Sequence, residues 1–278
     1  MHIRIGHTPD ADDAFMFYGI QLDRVERGNL SLEHCLAPMQ QLNRWAREQR
    51  FEMTACSFAT YASIADRYRP MKVGISFGHH YGPIVVARSG LSVEEVARQP
   101  MASPGELTTA HWLARMWNPN QAFETVPFDQ VLTSVLEGRF DSALVIHEGQ
   151  MTFAEQGLQL VVDLGNWFSQ RSGGLPIPLG LNVVSRQLPG PVQQTLTRAL
   201  YQSIELALQE VEDAVDLALP LARGLDRQRC REFILRYVNS STLDPGSRGL
   251  EAIQCFYEMA RQAGLVEAQP PLDWLSPG

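Results

Sequence analysis

The chain has 278 residues, 45% hydrophobic and 19% charged, with 23 Lys and Arg against 31 Asp and Glu for a formal charge of -8. This is an ordinary globular composition, long enough to bury a sizeable core in one large or two modest domains. It excludes a phosphate-backbone binder, because Lys72 is the only lysine and there is neither a basic tail nor an arginine stripe interleaved with aromatics, so no nucleic-acid partner is expected. No apolar run approaches the roughly 20 residues of a membrane-spanning helix. Cys35, Cys56, Cys230 and Cys255 lie far apart without CxxC spacing and read as free, mostly buried thiols of a reducing compartment. Met1 leads almost directly into a strand-like segment rather than a basic and then apolar leader, so a cytoplasmic location is expected.

Ile3 and Ile5 open a strand that runs into Gly6-His7-Thr8-Pro9-Asp10-Ala11-Asp12-Asp13, and Ala14 to Ile20 continues as a helix. Open α/β sheets place ligands at such a strand end, and the helix directs its free N–H groups there. Asp10, Asp12 and Asp13 either cap that helix or form a polar site. A second strand follows over Leu30 to Leu36, then a helix over Met39 to Gln49 that carries Asn43, then a strand over Phe51 to Ala55. Cys56 to Ala62 repeats the first pattern, a hydroxyl-bearing loop opening a helix, with Ser57 as its N-cap candidate. The adjacent His79 and His80 would point apart on a strand and have no Cys or carboxylate nearby, so no metal is expected.

Pro83 to Ala87 is a buried strand that leads into a second α/β unit, with a helix over Leu91 to Arg98 and a strand over Gln99 to Ser103. Pro104 to Trp112 opens a helix at Thr108 and Thr109, hydroxyls that suit either a bound carboxylate or phosphate or a simple cap. A strand over Phe123 to Pro127 and a helix over Phe128 to Leu136 precede a buried strand over Phe140 to Ile146, which ends in His147-Glu148. His147 is the main acid-base candidate, since an imidazole with a reference pKa of roughly 6.5 serves either role at neutral pH. The alternative for a strand-end histidine is a hydrogen bond to neighbouring backbone. Leu158 to Leu164 forms another strand, Gly173 to Gly180 a Gly- and Pro-rich connection, and Leu181 to Arg186 a strand expected to pair with Pro83 to Arg88 as a hinge. Beyond Pro191 the chain is mostly amphipathic helix, with Leu196, Leu200, Ile204 and Leu208 at four-residue spacing.

These elements predict an α/β protein with a two-domain, periplasmic-binding-protein-like fold of type II and a two-strand hinge. Residues 1–86 and 185–278 are expected to form the larger, discontinuous domain and residues 87–184 the smaller inserted one. Such a fold turns the strand-end loops of both domains toward one cleft, which would gather the Thr8 to Asp13 loop, Asn43, Ser57, Thr108, Thr109 and His147. Fold alone leaves the function open.

Several segments carry a resemblance over nearly the whole chain: Thr8-Pro9 with Asp13 and Phe15 to Tyr18, Leu42 to Ala46, Ser57 with Tyr61-Ala62, and Gly82 to Arg88. Thr108 to Ala110, Ile146 to Glu148, Val161 to Gly165, Leu175 to Gly180 and Tyr237 to Asn239 complete the set. In this order and spacing the chain resembles the 1,4-dihydroxy-6-naphthoate synthase family of the futalosine route to menaquinone. The resemblance implies a lyase that converts the carboxylated small molecule cyclic dehypoxanthinyl futalosine to 1,4-dihydroxy-6-naphthoate and dihydroxyacetone, without metal or organic cofactor. It implies His147 as the catalytic base and Asn43, Ser57, Thr108 and Thr109 as the polar lining of the pocket, and Thr8, Asp10 and Asp13 are expected to bind substrate from their place in the first loop at the same cleft. Asp10-Ala11-Asp12-Asp13 stands where the family pattern is expected to carry Cys-Pro-Asn-Asp, and Ala14 where it is expected to carry Thr. The added charge repels a carboxylate unless these side chains point away from it. Chorismate dehydratase, of the same pathway and fold, and a non-catalytic small-molecule binder are the alternatives.

Overall fold

Along the first strand Ile3 and Ile5 are fully buried while His2 and Arg4, which alternate with them, are exposed, the period-two pattern of a strand with one face on the core. The structure, a computed structural model, describes residues 1–146 and 148–278. Its strands among the described residues are β1 (His2–His7), β2 (Ser31–Leu36), β3 (Met53–Ser57), β4 (Tyr68–Pro70), β5 (Ser76–Gly78), β6 (Ile84–Arg88), β7 (Met101–Ser103), β8 (Phe123–Thr125), β9 (Ser142–Val145), β10 (Leu158–Asp163) and β11 (Ile177–Ser185). The chain forms two units. One comprises Met1–Phe77, Pro178–Leu250 and Pro270–Gly278, the other Gly78–Ile177 and Glu251–Gln269.

In the first unit the strands run in the order β2-β1-β3-β11-β4, with β5 also on β11. β1 lies parallel to β2 and β3, so the carboxyl ends of all three reach the same edge, and β11 runs antiparallel to β3 and β4. β3 is buried at all five residues, as expected of a central strand covered on both faces. Gly6 is required where β1 pairs with β3: an added Cβ would lie 2.7 Å from Thr54 Oγ1 and 2.8 Å from the Phe51 ring. The 20-residue helix Gly190–Gln209 buries Leu196, Leu200 and Ile204 and anchors the first loop's helices. Its Ser203 hydroxyl donates to the Met16 carbonyl at 2.8 Å and accepts from Ile20 N–H at 3.2 Å.

In the second unit the order is β10-β6-β9-β7-β8, with β6 antiparallel to β10 and β9, and β7 parallel to β8 and β9. Ile84, Val86, Ala102, Val131, Ala143 and Val145 form its core. The Gly82 and Gly165 backbones pack directly on one another. A Cβ on Gly165 would sit 2.1 Å from the Tyr81 carbonyl oxygen and 2.6 Å from Gly82 N, and Leu164 N–H donates to the Pro83 carbonyl at 2.9 Å.

Three local readings differ from the structure. The strand at residues 83–88 does not pair with residues 181–186, because β6 has both edges filled by β9 and β10 while β11 is held by β3, β4 and β5. β11 also starts earlier, inside the Gly- and Pro-rich connection. Its pairing with β3 runs from Gly180 to Val184, so Pro178 precedes the ladder and its missing N–H costs no bond there. A helix at Leu164–Arg171, to which the sequence reading assigns no element beyond Leu164, follows β10. The Asp163 carboxylate caps it, accepting from Gly165 N–H at 2.8 Å and Asn166 N–H at 2.9 Å. All four cysteines are free thiols, Cys56 and Cys230 buried and the other two half-buried. Among the described residues no helix is long and apolar enough to cross a membrane.

Candidate functional site

The first loop leaves β1 and turns into the helix Ala11–Met16. Asp10 occupies the N-cap position yet makes no side-chain cap bond, so the capping reading fails for it. Its carboxylate instead pairs with Arg223, which answers its negative charge from 213 residues away. Asp13 turns back into the loop, where one oxygen, Oδ2, accepts from Thr8 N–H at 2.6 Å and from the Thr8 hydroxyl at 2.8 Å. Burial pushes the Asp13 carboxyl up to about 6, against the opposing pull of the two Thr8 bonds. Asp12, also in the first turn, is half-buried. Of the two carboxylates added relative to the expected family pattern, Asp10 is thus paired with Arg223.

Asn43 and Ser57 form a reciprocal pair at the same edge of the sheet. Ser57 N–H donates to Asn43 Oδ1 at 2.9 Å, and Asn43 Nδ2 donates to the Ser57 hydroxyl oxygen at 3.0 Å. Asn43 is fully buried on the helix Met39–Arg47, and Ser57 ends β3. Ser57 holds the N-cap position of Phe58–Tyr61, but its hydroxyl makes no cap bond. The amide of Asn43 satisfies the Ser57 backbone donor and leaves the hydroxyl hydrogen outside the pair.

Two histidines beneath the loop were not singled out by sequence reasoning. His7 is buried, stacks on Phe17 with ring centroids 4.3 Å apart and planes 17° apart, and lies 2.9 Å from His34 through Nε2 and Nδ1. Burial, helped by His34, lowers His7 to about 3, and burial lowers His34 as well. The available signal was His7 at the carboxyl end of a buried strand.

The second unit holds the threonines. Thr108 is a true cap of the helix Thr109–Trp117: its hydroxyl accepts from His111 N–H at 3.2 Å and donates to the Gly105 carbonyl at 2.7 Å. Thr109 is buried in the first turn of that helix. Beneath them the Ser103 hydroxyl accepts from Gly105 N–H at 3.3 Å and lies 3.3 Å from His111 Nδ1, and burial lowers His111 to about 4. His147, the expected base, lies outside the described residues. The structure therefore brings together Thr8 with Asp13 and Asn43 with Ser57 in one unit, and Thr108 with Thr109 in the other. Among the described residues no group of three or more His, Cys, Asp or Glu side chains is placed to hold a metal ion.

The sequence profile of a menaquinone biosynthesis family matches residues 3–262. The chain belongs to that family. It is 35% identical over 268 residues, 96% of this chain and 97% of the relative, to the 1,4-dihydroxy-6-naphthoate synthase of Thermus thermophilus. It is 29% identical to the synthase of Streptomyces coelicolor over 97% of this chain and 96% of that one. A crystal structure of an Archaeoglobus fulgidus protein superposes with a TM-score of 0.91 at 40% identity, covering 95% of this chain and 98% of that one. A Candida albicans protein described as having the generic periplasmic binding protein fold gives a TM-score of 0.73 at 9% identity, over 97% and 92% of the two chains. The ligand-binding component of a Staphylococcus aureus ABC-type import system gives 0.74 at 12% identity, over 100% and 97%. At those identities the likeness is one of fold, and the fold is that of the periplasmic binding proteins.

Proposed function

We propose that this family member is a 1,4-dihydroxy-6-naphthoate synthase, a lyase that releases 1,4-dihydroxy-6-naphthoate and dihydroxyacetone from cyclic dehypoxanthinyl futalosine. The observation that carries the reading is the match to the Thermus synthase over nearly the full length of both chains. The chemistry needs proton removal and return as the sugar ring opens and a carbon–carbon bond breaks, and aromatisation of the product supplies the driving force. His147, at the end of a buried strand in sequence, is the base in this account.

Binding is assigned to groups that can meet a carboxylate and sugar oxygens. Ser57 offers a hydroxyl oriented by Asn43, and Thr108 and Thr109 offer a capped helix start whose N–H groups suit a carboxylate. Asp13 accepts from a sugar hydroxyl, Thr8 holds Asp13, and Asp10 ties the loop to Arg223 so that its charge does not meet the substrate unpaired. No cofactor enters this chemistry. Four free thiols fit a cytoplasmic enzyme.

The test is to offer the purified protein cyclic dehypoxanthinyl futalosine and, separately, chorismate, and to identify products by mass spectrometry. Naphthoate from the first substrate alone is expected. Dehydration of chorismate would transfer the assignment to the sister enzyme, and binding of the cyclic compound without turnover would reduce the protein to a binder.

A further inference from the structure

A continuous run of hydrogen bonds passes beneath the first loop, from the edge strand β2 to Asp13. His34 Nδ1 and His7 Nε2 are 2.9 Å apart, His7 Nδ1 lies 3.1 Å from the Thr8 carbonyl, and Thr8 gives both its N–H and its hydroxyl hydrogen to Asp13 Oδ2. The polarity of this run follows from one group. A backbone carbonyl only accepts, so His7 Nδ1 carries a hydrogen. Burial keeps the His7 ring neutral at ordinary pH, so its Nε2 is a lone pair and His34 Nδ1 is the donor to it. Every bond then points the same way, from His34 through His7 to Thr8 and on to the carboxylate.

The consequence falls on Thr8 and Asp13. All three polar groups of Thr8 are engaged, its carbonyl by His7 and its N–H and hydroxyl by Asp13, so Thr8 is a strut and not a free hydroxyl. Both Thr8 donors reach the same oxygen of Asp13, so Oδ1 takes no part in that clasp. Phe17 stacks flat on His7 and faces His34 edge-on at 5.8 Å, which fixes both ring planes. We infer that His7 and His34 are positioning residues that orient the Asp13 carboxyl, through Thr8, to accept a hydroxyl of the substrate sugar. The inference rests on the synthase reading for its substrate, but the hydrogen-bond run itself does not.

His34 is the residue to change, because it is half-buried on an edge strand whereas His7 is buried. His34→Leu removes the donor, and His34→Asn places an amide N–H near the position of Nδ1. A carboxylate left free to swing costs about tenfold in reactions that depend on orientation. The expected result is a roughly tenfold lower kcat for His34→Leu at nearly unchanged KM and recovery to within about threefold in His34→Asn, with a lower thermal midpoint in His34→Leu than in His34→Asn because the leucine leaves the buried His7 Nε2 without a donor. Ring nitrogen NMR of the native protein should show hydrogen on Nδ1 of both His7 and His34. The Thr8 amide proton, shifted downfield by its short bond to the carboxylate, should move in His34→Leu and return in His34→Asn. Hydrogen on Nε2 of His7, an unmoved Thr8 amide proton, or a His34→Asn variant no more active than His34→Leu overturns the inference. The NMR results stand without turnover, so failure of the synthase reading is told apart from failure of the positioning role.

Discussion

Replacing Asn43 by Ala removes two bonds at once, and the structure makes their costs unequal. The Ser57 N–H now bonded to Asn43 Oδ1 at 2.9 Å would be left buried without that acceptor, at about 1–3 kcal/mol. The bond from Asn43 Nδ2 to the Ser57 hydroxyl contributes a further ~0.5–1.5 kcal/mol, because the hydroxyl can turn to another partner. Together these give a loss of about 1.5–4.5 kcal/mol, or a fall in thermal midpoint of roughly 3–18 °C for a domain of this size. Ser57→Ala keeps the backbone bond and should lose only the smaller share, about 0.5–1.5 kcal/mol. In the double variant the Ser57→Ala cost should largely vanish, since the two residues act as a pair. Calorimetry of the native protein, both single variants and the double variant reads all four values. An Asn43→Ala loss no larger than that of Ser57→Ala, or strictly additive losses, would refute the reasoning.

Gly165→Ala should strongly destabilise the second unit, because its Cβ would stand 2.1 Å from the Tyr81 carbonyl oxygen, whereas Gly180→Ala meets only the Cys56 carbonyl at 3.5 Å and should cost little; chemical unfolding separates the two. Asp13→Asn keeps an acceptor for Thr8 but cannot ionise. Because the folded carboxyl titrates near 6, above its ordinary 3.8, its stabilising contribution is present below about pH 4 and lost as pH rises through 6. Urea titrations should therefore show the variant gaining on the native protein between about pH 4 and 7, by an amount on the order of 2–3 kcal/mol, and no change in the gap would contradict the burial argument. Arg223→Asn suits the left-handed backbone at φ 47° but leaves Asp10 unpaired. It should raise KM for the carboxylated substrate about three- to tenfold at low salt, with less effect at high salt, while Arg223→Lys stays close to native.

Much of the sheet was readable from local pattern. β1, β3, β6 and β9 announce themselves as short apolar runs closed by Gly, Pro or Ser, and the strand–loop–helix shape of the first loop follows from Ile3, Ile5 and the Gly-to-Asp turn. Local pattern failed where an element takes its character from distant partners. The helix Leu164–Arg171 carries Gly165 in its first turn, a poor helix residue retained because the Tyr81–Gly82 backbone leaves no room for a Cβ, and its signal is the Asp163 cap. β11 runs through Pro178 and Gly180 because β3 offers an open edge beyond them.

The same division holds for the site. The hydroxyls and carboxylates of the two strand-end loops were visible, but their roles were not. Asp10 and Ser57 both stand at cap positions in the sequence, but their partners are Arg223 and Asn43, which no local window relates to a cap. His7 and His34 are 27 residues apart and meet only because β1 and β2 pair in parallel with Ile5 opposite His34, a register no local window contains.

The central claim is tested most directly by incubating the native protein and His147→Ala with cyclic dehypoxanthinyl futalosine and counting products. The account predicts naphthoate and dihydroxyacetone in equal amounts from the native protein and almost none from the variant at an unchanged thermal midpoint. A folded native protein that releases no naphthoate, or a His147→Ala variant that keeps full activity, would contradict it.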